Sequence, residues 1–403
     1  MSSIDLDVNA SRVTPSPFDR WQTIAFGIVL TLVGYSVMVG VPVLTTAWVE
    51  QLGFSQPQAG RVAGADLGGL ALGSVMSSLV MARWNRRWLA VLGIAIAMLA
   101  NGLCLVVTAY EPTLWLRVLA GVGSGILTAV GVATLGGSSR PARAFNFMLF
   151  AFAFSQAAEL KVLPMLSMSG VYTVFLMCFL ICLPLLYWIP TAPLPGERRS
   201  DAAVAAARRL PRYLPWVCLA AIFFTYVNIG TYWVYIELAS LDAGIDADWI
   251  GNLLVWVSLG SLVGCLIATV LSNRFGLARP LLVTLLIMTA IVGILTLEIN
   301  PLHLFISLAS FNVLWIFIDV YQMGTVAVID RSGAFASLMP GAQGLGQIVG
   351  PYLAAGMLSA GLGYNAVFAL CAMAAFLGML VYLGMYLGVR REVPQLVKDC
   401  DSE

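Results

Sequence analysis

LGFSQPQAGRVAGADLGGLALGSVMSSLVMARWNRR, residues 52–87, is the stretch whose reading decides the fold. It leaves a polar turn, runs through about twenty mostly apolar residues, and closes on Arg83, Arg86 and Arg87 around Asn85. A run of that length crosses a bilayer as a helix, and clustered arginines mark its cytoplasmic end. Asp66 stands inside the run against the grain of its hydropathy.

The stretch also occurs twice. At an offset of 191 positions, Gly53, Gly60, Gly69, Gly73 and Arg83 fall on Gly244, Gly251, Gly260, Gly264 and Arg274. Small residues and a basic turn that repeat at one fixed offset indicate an internal duplication. The expected organisation is a six-helix bundle over residues 1–190, a linker over 191–212 and a second six-helix bundle over 213–403.

Composition narrows the class. Of 403 residues 60% are hydrophobic and 10% charged, which places the chain among polytopic membrane proteins rather than soluble domains. The net charge of +1 gives no reason to expect a nucleic-acid partner. Seven cysteines without paired spacing and the lone His303 offer neither a disulfide framework nor a metal site, and no cofactor is implied. The polar first twenty residues have no signal-peptide core, so the first apolar run is expected to stay in the membrane.

Twelve spans follow from the apolar runs: 21–48, 57–81, 88–109, 113–136, 144–166, 171–189, 213–240, 248–271, 279–297, 302–327, 335–358 and 364–388. With the N-terminus inside, 18 of the 21 basic residues fall in cytoplasmic segments, and only Arg61, Arg117 and Lys161 lie elsewhere. Both termini are therefore expected on the cytoplasmic side of a plasma or inner membrane.

Six plus six helices in parallel repeat, joined by a basic linker, resemble the major facilitator superfamily of secondary transporters. The resemblance includes motifs. MARWNRRW is similar to the family's loop between helices 2 and 3, with Arg83, Arg86 and Arg87 in place but Ala82 where an aspartate is usual. The second copy keeps Arg274 and Gly276. In helix 4, LWLRVLAGVGSG resembles a further family motif through Arg117, Gly121, Gly123 and Gly125. In helix 11, GQIVGP, with Gly350 and Pro351, is similar to the glycine-proline motif that antiporters carry in helix 5. The resemblance implies a monomeric transporter in which these residues gate or hinge the halves.

Charged side chains at membrane depth are costly and usually mark a pathway. Arg117 heads a face of small and polar residues, Gly121, Ser124 and Thr128, which is read as lining a wet cavity. Asp66 heads a similar face with Gly69, Gly73 and Ser77 at a similar depth, so it serves either in proton coupling or in a static pair with Arg117. Glu159 shares a face with Gln156, and a carboxyl in a partly desolvated cavity can exchange protons near neutrality. Lys161 reads as an interfacial lysine, and Glu237 as a solvated carboxylate near the mouth of helix 7. Trp315, Asp319 and Gln322 share one face of helix 10, and Asn228, Tyr232 and Tyr235 one face of helix 7. Rings beside a few amides, hydroxyls and a carboxyl suit an amphipathic organic molecule.

The expected function is proton-coupled secondary transport of such a solute by alternating access, with antiport preferred. Asp66, Arg117, Glu159 and Asp319 are the expected coupling residues. The candidate solute contacts are Arg117, Gln156, Asn228, Tyr232, Tyr235, Trp315, Asp319 and Gln322. Proton-coupled uptake of an organic acid and passive facilitation are the alternatives. An enzyme is disfavoured, because His303 has no companion that would build a catalytic cluster.

Overall fold

In a computed structural model the described residues form twelve α-helices and no strand. The structure describes residues 16–191 apart from 82, residue 211, and residues 213–264, 266–267, 278–329 and 334–392. Most of the linker 191–212 lies outside them, as do Arg274 and Gly276. The helices are α1 (Trp21–Leu52), α2 (Gln56–Val80), α3 (Arg86–Cys104), α4 (Tyr110–Gly136), α5 (Pro141–Val162) and α6 (Met168–Leu185). The second set is α7 (Leu214–Asp242), α8 (Ala247–Ser258), α9 (Ala278–Gly293), α10 (Pro301–Ile329), α11 (Ala334–Ser359) and α12 (Tyr364–Glu392). Eleven of these segments are long and apolar enough to cross a membrane, and Leu79, Leu99, Met177, Leu286 and Phe305 leave large apolar side chains exposed on the outer surface. This is a multi-pass membrane protein.

Local chemistry sets the helix ends. Gly53 closes α1 at φ +70°, and Gly244, its counterpart 191 positions on, follows α7 at φ +76°. Only glycine enters that left-handed region freely, so the duplication has preserved a turn as well as a composition. Ser55 and Gln58 form a reciprocal capping box that starts α2 directly after this turn.

The two halves repeat their internal packing. A Cβ added to Gly73 of α2 would collide with the Val122 carbonyl oxygen of α4. One added to Gly264 would meet the Val313 carbonyl oxygen of α10, again 191 positions along. Gly69, Gly121 and Gly125 make equally close approaches between α2 and α4. Small residues thus bring backbones together where no aqueous hydrophobic force acts between helices.

The start of α1 and the segment after α6 meet on one face of the bundle, here the terminal face. There Thr23, at the start of α1, donates to the Trp188 carbonyl beyond α6 (3.0 Å), and the backbone N–H of Ser139 donates to Asp19 (2.7 Å). Arg86 donates to the Pro190 carbonyl, and Arg87 to those of Ile189 and Tyr187, each at 2.7 Å. These carbonyls belong to the segment that follows α6, so both cations fasten α3 to that segment. The resemblance implies a gating role for Arg86 and Arg87; in the structure their bonds lie within the first half, from α3 to the segment after α6. Arg83 is exposed.

At the opposite, distal face the halves meet. Gln56 donates to Asp242 (3.5 Å), Arg61 to Ser359 (3.5 Å) and Lys161 to Asn252 (3.2 Å). Deeper in, Thr45 of α1 donates to the Val234 carbonyl of α7 (3.0 Å), and Trp233 of α7 to the Met38 carbonyl of α1 (3.1 Å).

Candidate functional site

Asp319 lies on α10, partly buried, where α7 and α11 converge on it. Its Oδ1 accepts from the Tyr226 hydroxyl of α7 (2.8 Å) and from Nε2 of Gln343 on α11 (2.9 Å). Nothing among the described residues donates to its other oxygen, and no cation among them pairs with it. From the first half, Tyr35 of α1 lies within electrostatic reach of Asp319 and sits edge-on to Phe152 of α5, with ring centroids 6.2 Å apart. One carboxyl therefore stands where both halves contribute, with one oxygen held and the other uncommitted.

The repeat explains who is present. Tyr35 and Tyr226 are counterparts at the 191 offset, and so are Phe152 and Gln343, and Thr128 and Asp319. The first half thus supplies a ring and a hydroxyl where the second supplies an amide and an acid. Gln322 adds a second polar bond in the same region, donating to Thr225 of α7 (3.0 Å). Trp315, one turn before Asp319, packs against Trp233 and Phe311, each with centroids 6.1 Å away. Gln347, the counterpart of Gln156, reaches the Met38 sulfur at 3.9 Å and joins α11 to α1.

The other acids do not join this centre. Asp66 and Arg117 form an ion pair, with Arg117 Nε donating to Asp66 at 2.6 Å and Nη1 to Asn101 of α3 at 2.8 Å. The guanidinium also lies 5.6 Å from the Tyr172 ring of α6. Their side chains are 2% and 0% exposed, so the pair is sealed among α2, α3, α4 and α6. Of the two readings of Asp66 the static pair is the one observed, and the expectation that the face of Arg117 lines a wet cavity is corrected: Gly69 and Gly121 are small for backbone contact, not for water. Glu159 accepts from Ser155 (3.0 Å) and turns towards Gly40 of α1 and Cys178 of α6, again within the first half.

Tyr232 is likewise not a free pocket ring. Its hydroxyl bonds Ser307 (2.9 Å), it stacks on Phe311 at 4.0 Å, and it is fully buried inside the second half. Tyr235 donates to the Pro351 carbonyl (3.3 Å) and fills the space above Gly60, plugging the distal contact of α2, α7 and α11. Asn228 and Gln156 are buried, and their amide atoms have no hydrogen-bond partner among the described residues. Gly350 lets α11 touch the Val227 carbonyl of α7. Sequence reasoning passed over Tyr35, Tyr226 and Gln343, although the tyrosine repeated at 191 was a legible signal.

The sequence model of the Major Facilitator Superfamily matches residues 24–329. The chain belongs to that family. This transporter is 24% identical over 304 residues to an uncharacterized MFS-type transporter, YceJ, of Bacillus subtilis (strain 168), covering 73% of this chain and 76% of that one. Its fold resembles that of the nucleoside transporter NupG, with a TM-score of 0.66 at 13% identity over 90% of this chain and 99% of that chain. A mutant of NupG gives a TM-score of 0.69 at 12% identity, covering 90% of this chain and all of that chain. At such identity the likeness speaks for the fold alone. Family membership makes the chain a membrane transporter rather than an enzyme.

Proposed function

We propose that this transporter exchanges protons for a small amphipathic organic solute carrying a positive charge, and that Asp319 binds the two in turn. The observation that carries the reading is the uncommitted oxygen of Asp319 beside the rings of Tyr35 and Tyr226. A lone carboxylate at membrane depth is unfavourable, and it is relieved either by a proton or by a cation. It cannot hold both at full strength, so loading one expels the other. The tyrosine at the carboxyl and the Trp315 ring one turn before it favour an organic cation over a small hydrated one.

The sealed Asp66–Arg117 pair supports a cationic solute over an organic acid, because Arg117 is already consumed. It acts in this reading as a fixed strut of the first half. Side-chain bonds between the halves run from the centre to the distal face, which fits alternating access with the terminal face as the cytoplasmic side.

The test uses purified protein in proteoliposomes with a pH-sensitive dye inside. A lipophilic quaternary ammonium probe, which has no neutral form and carries no proton, added outside should drive proton movement in the opposite direction. Asp319→Asn should abolish that movement while the protein still inserts and folds. Equal proton movement in the variant overturns the assignment.

A further inference from the structure

Three consecutive residues of α7 meet the first half at the distal contact. Trp233 donates to the Met38 carbonyl, the Val234 carbonyl accepts from Thr45, and Tyr235 reaches α2. The first two join α7 to α1. Tyr235 differs, because its ring belongs to the second half and its tip is seated in the first. Tyr364 of α12 packs behind the ring, with centroids 6.2 Å apart, and the Tyr235 side chain is fully buried. In front, the ring edge and hydroxyl lie over the α-carbon of Gly60, where any Cβ would collide with them.

The hydroxyl then donates to the Pro351 carbonyl of α11 (3.3 Å). That carbonyl stands at a weak point of the helix. Pro351 has no N–H, so the Gln347 carbonyl four residues back loses its helical donor, and α11 can bend there. One turn along α2, Gly64 leaves room for Pro351 itself, whose Cβ would stand 3.4 Å from an added Cβ. Helices α2, α7, α11 and α12 thus converge on one side chain.

The repeat has built this junction on one side only. At the 191 offset Gly60, Tyr235 and Pro351 correspond to Gly251, Leu44 and Leu160. A Cβ added to Gly251 meets nothing within 4 Å. The glycine is kept in both halves, and only the first-half copy receives a tyrosine.

We propose that Tyr235 is the latch of the distal contact: seated on Gly60 and bonded to Pro351, it holds the bend of α11 against α2, and it must withdraw before the halves part there. Withdrawal is reversible, since the hydroxyl is satisfied by the carbonyl when seated and by water when the contact opens. Glycine at position 60 is what admits the ring. The latch stands on packing alone and does not depend on what Asp319 binds.

The test is hydrogen–deuterium exchange of the full chain in lipid nanodiscs, read on peptides covering the start of α2 and the distal end of α11. Tyr235→Phe keeps the ring and loses the bond, and should speed exchange there by about threefold to tenfold, the worth of one neutral hydrogen bond. Tyr235→Leu, which copies Leu44, should speed it further by emptying the seat. Gly60→Ala should speed it by evicting the ring. Tyr235→Leu combined with Gly60→Ala puts a methyl where the hydroxyl was, and should be better protected than either single variant. Gly251→Ala should exchange as the wild type does. Peptides at the terminal end of α2 should keep wild-type exchange throughout, whereas a merely structural loss would speed exchange along the whole helix. Wild-type exchange in Tyr235→Leu, a double variant no better protected than the singles, or loss of protection spread evenly over α2 overturns the inference.

Discussion

Tyr35 and Tyr226 stand 191 positions apart, on α1 and α7, and Tyr226 donates its hydroxyl to the carboxyl of Asp319 at 2.8 Å. Duplication has delivered two equivalent tyrosines, while only the second half brings an acid. Thr128, the counterpart of Asp319, donates instead to the Ser124 carbonyl within its own helix (3.0 Å). The centre is therefore asymmetric in charge, its carboxyl coming from the second half where the first places Thr128.

Tyr226→Phe removes a donor to the charged form of Asp319 and leaves the ring. Losing that bond favours the protonated acid, so the pH profile of exchange should move to higher pH. Flux measured against pH in proteoliposomes checks this, and Tyr35→Phe should move the profile less, because its hydroxyl makes no bond to the carboxyl.

Breaking the sealed pair should cost stability rather than coupling. Asp66→Asn leaves Arg117 without its counter-charge, and such losses run at about 3–5 kcal/mol. Thermal unfolding in detergent should show a large loss for Asp66→Asn or Arg117→Met alone. The double change, which leaves no stranded charge, should be milder than either.

Glycine substitutions should separate along the repeat. Gly73→Ala and Gly264→Ala drive a methyl into the Val122 and Val313 carbonyls and should lower folded yield and melting temperature together. Gly251→Ala meets nothing within 4 Å inside α8 and should be neutral or stabilising by about 0.5–1 kcal/mol.

Arg87→Ala removes two bonds to carbonyls of the segment after α6. The side chain is partly exposed, so the loss should be about 1 kcal/mol. A lower melting temperature with unchanged solute affinity is the expected result. A change in affinity alone would instead place Arg87 in the gate.

The sequence by itself determined the membrane class, the twelve helices and the duplication, because span length and a fixed offset are properties of order along the chain. It also identified Asp319 and the pairing of Asp66 with Arg117 as one of two options. It did not determine which way a helix face turns within the bundle. The faces Asp66–Gly69–Gly73 and Arg117–Gly121 read alike for a wet cleft and a tight helix contact, since small residues serve both. Rotation of each helix about its own axis is set by neighbours far away in sequence. Only the tertiary structure therefore sealed Arg117 against α3 and α6 and set Tyr226 and Gln343 on one oxygen of Asp319.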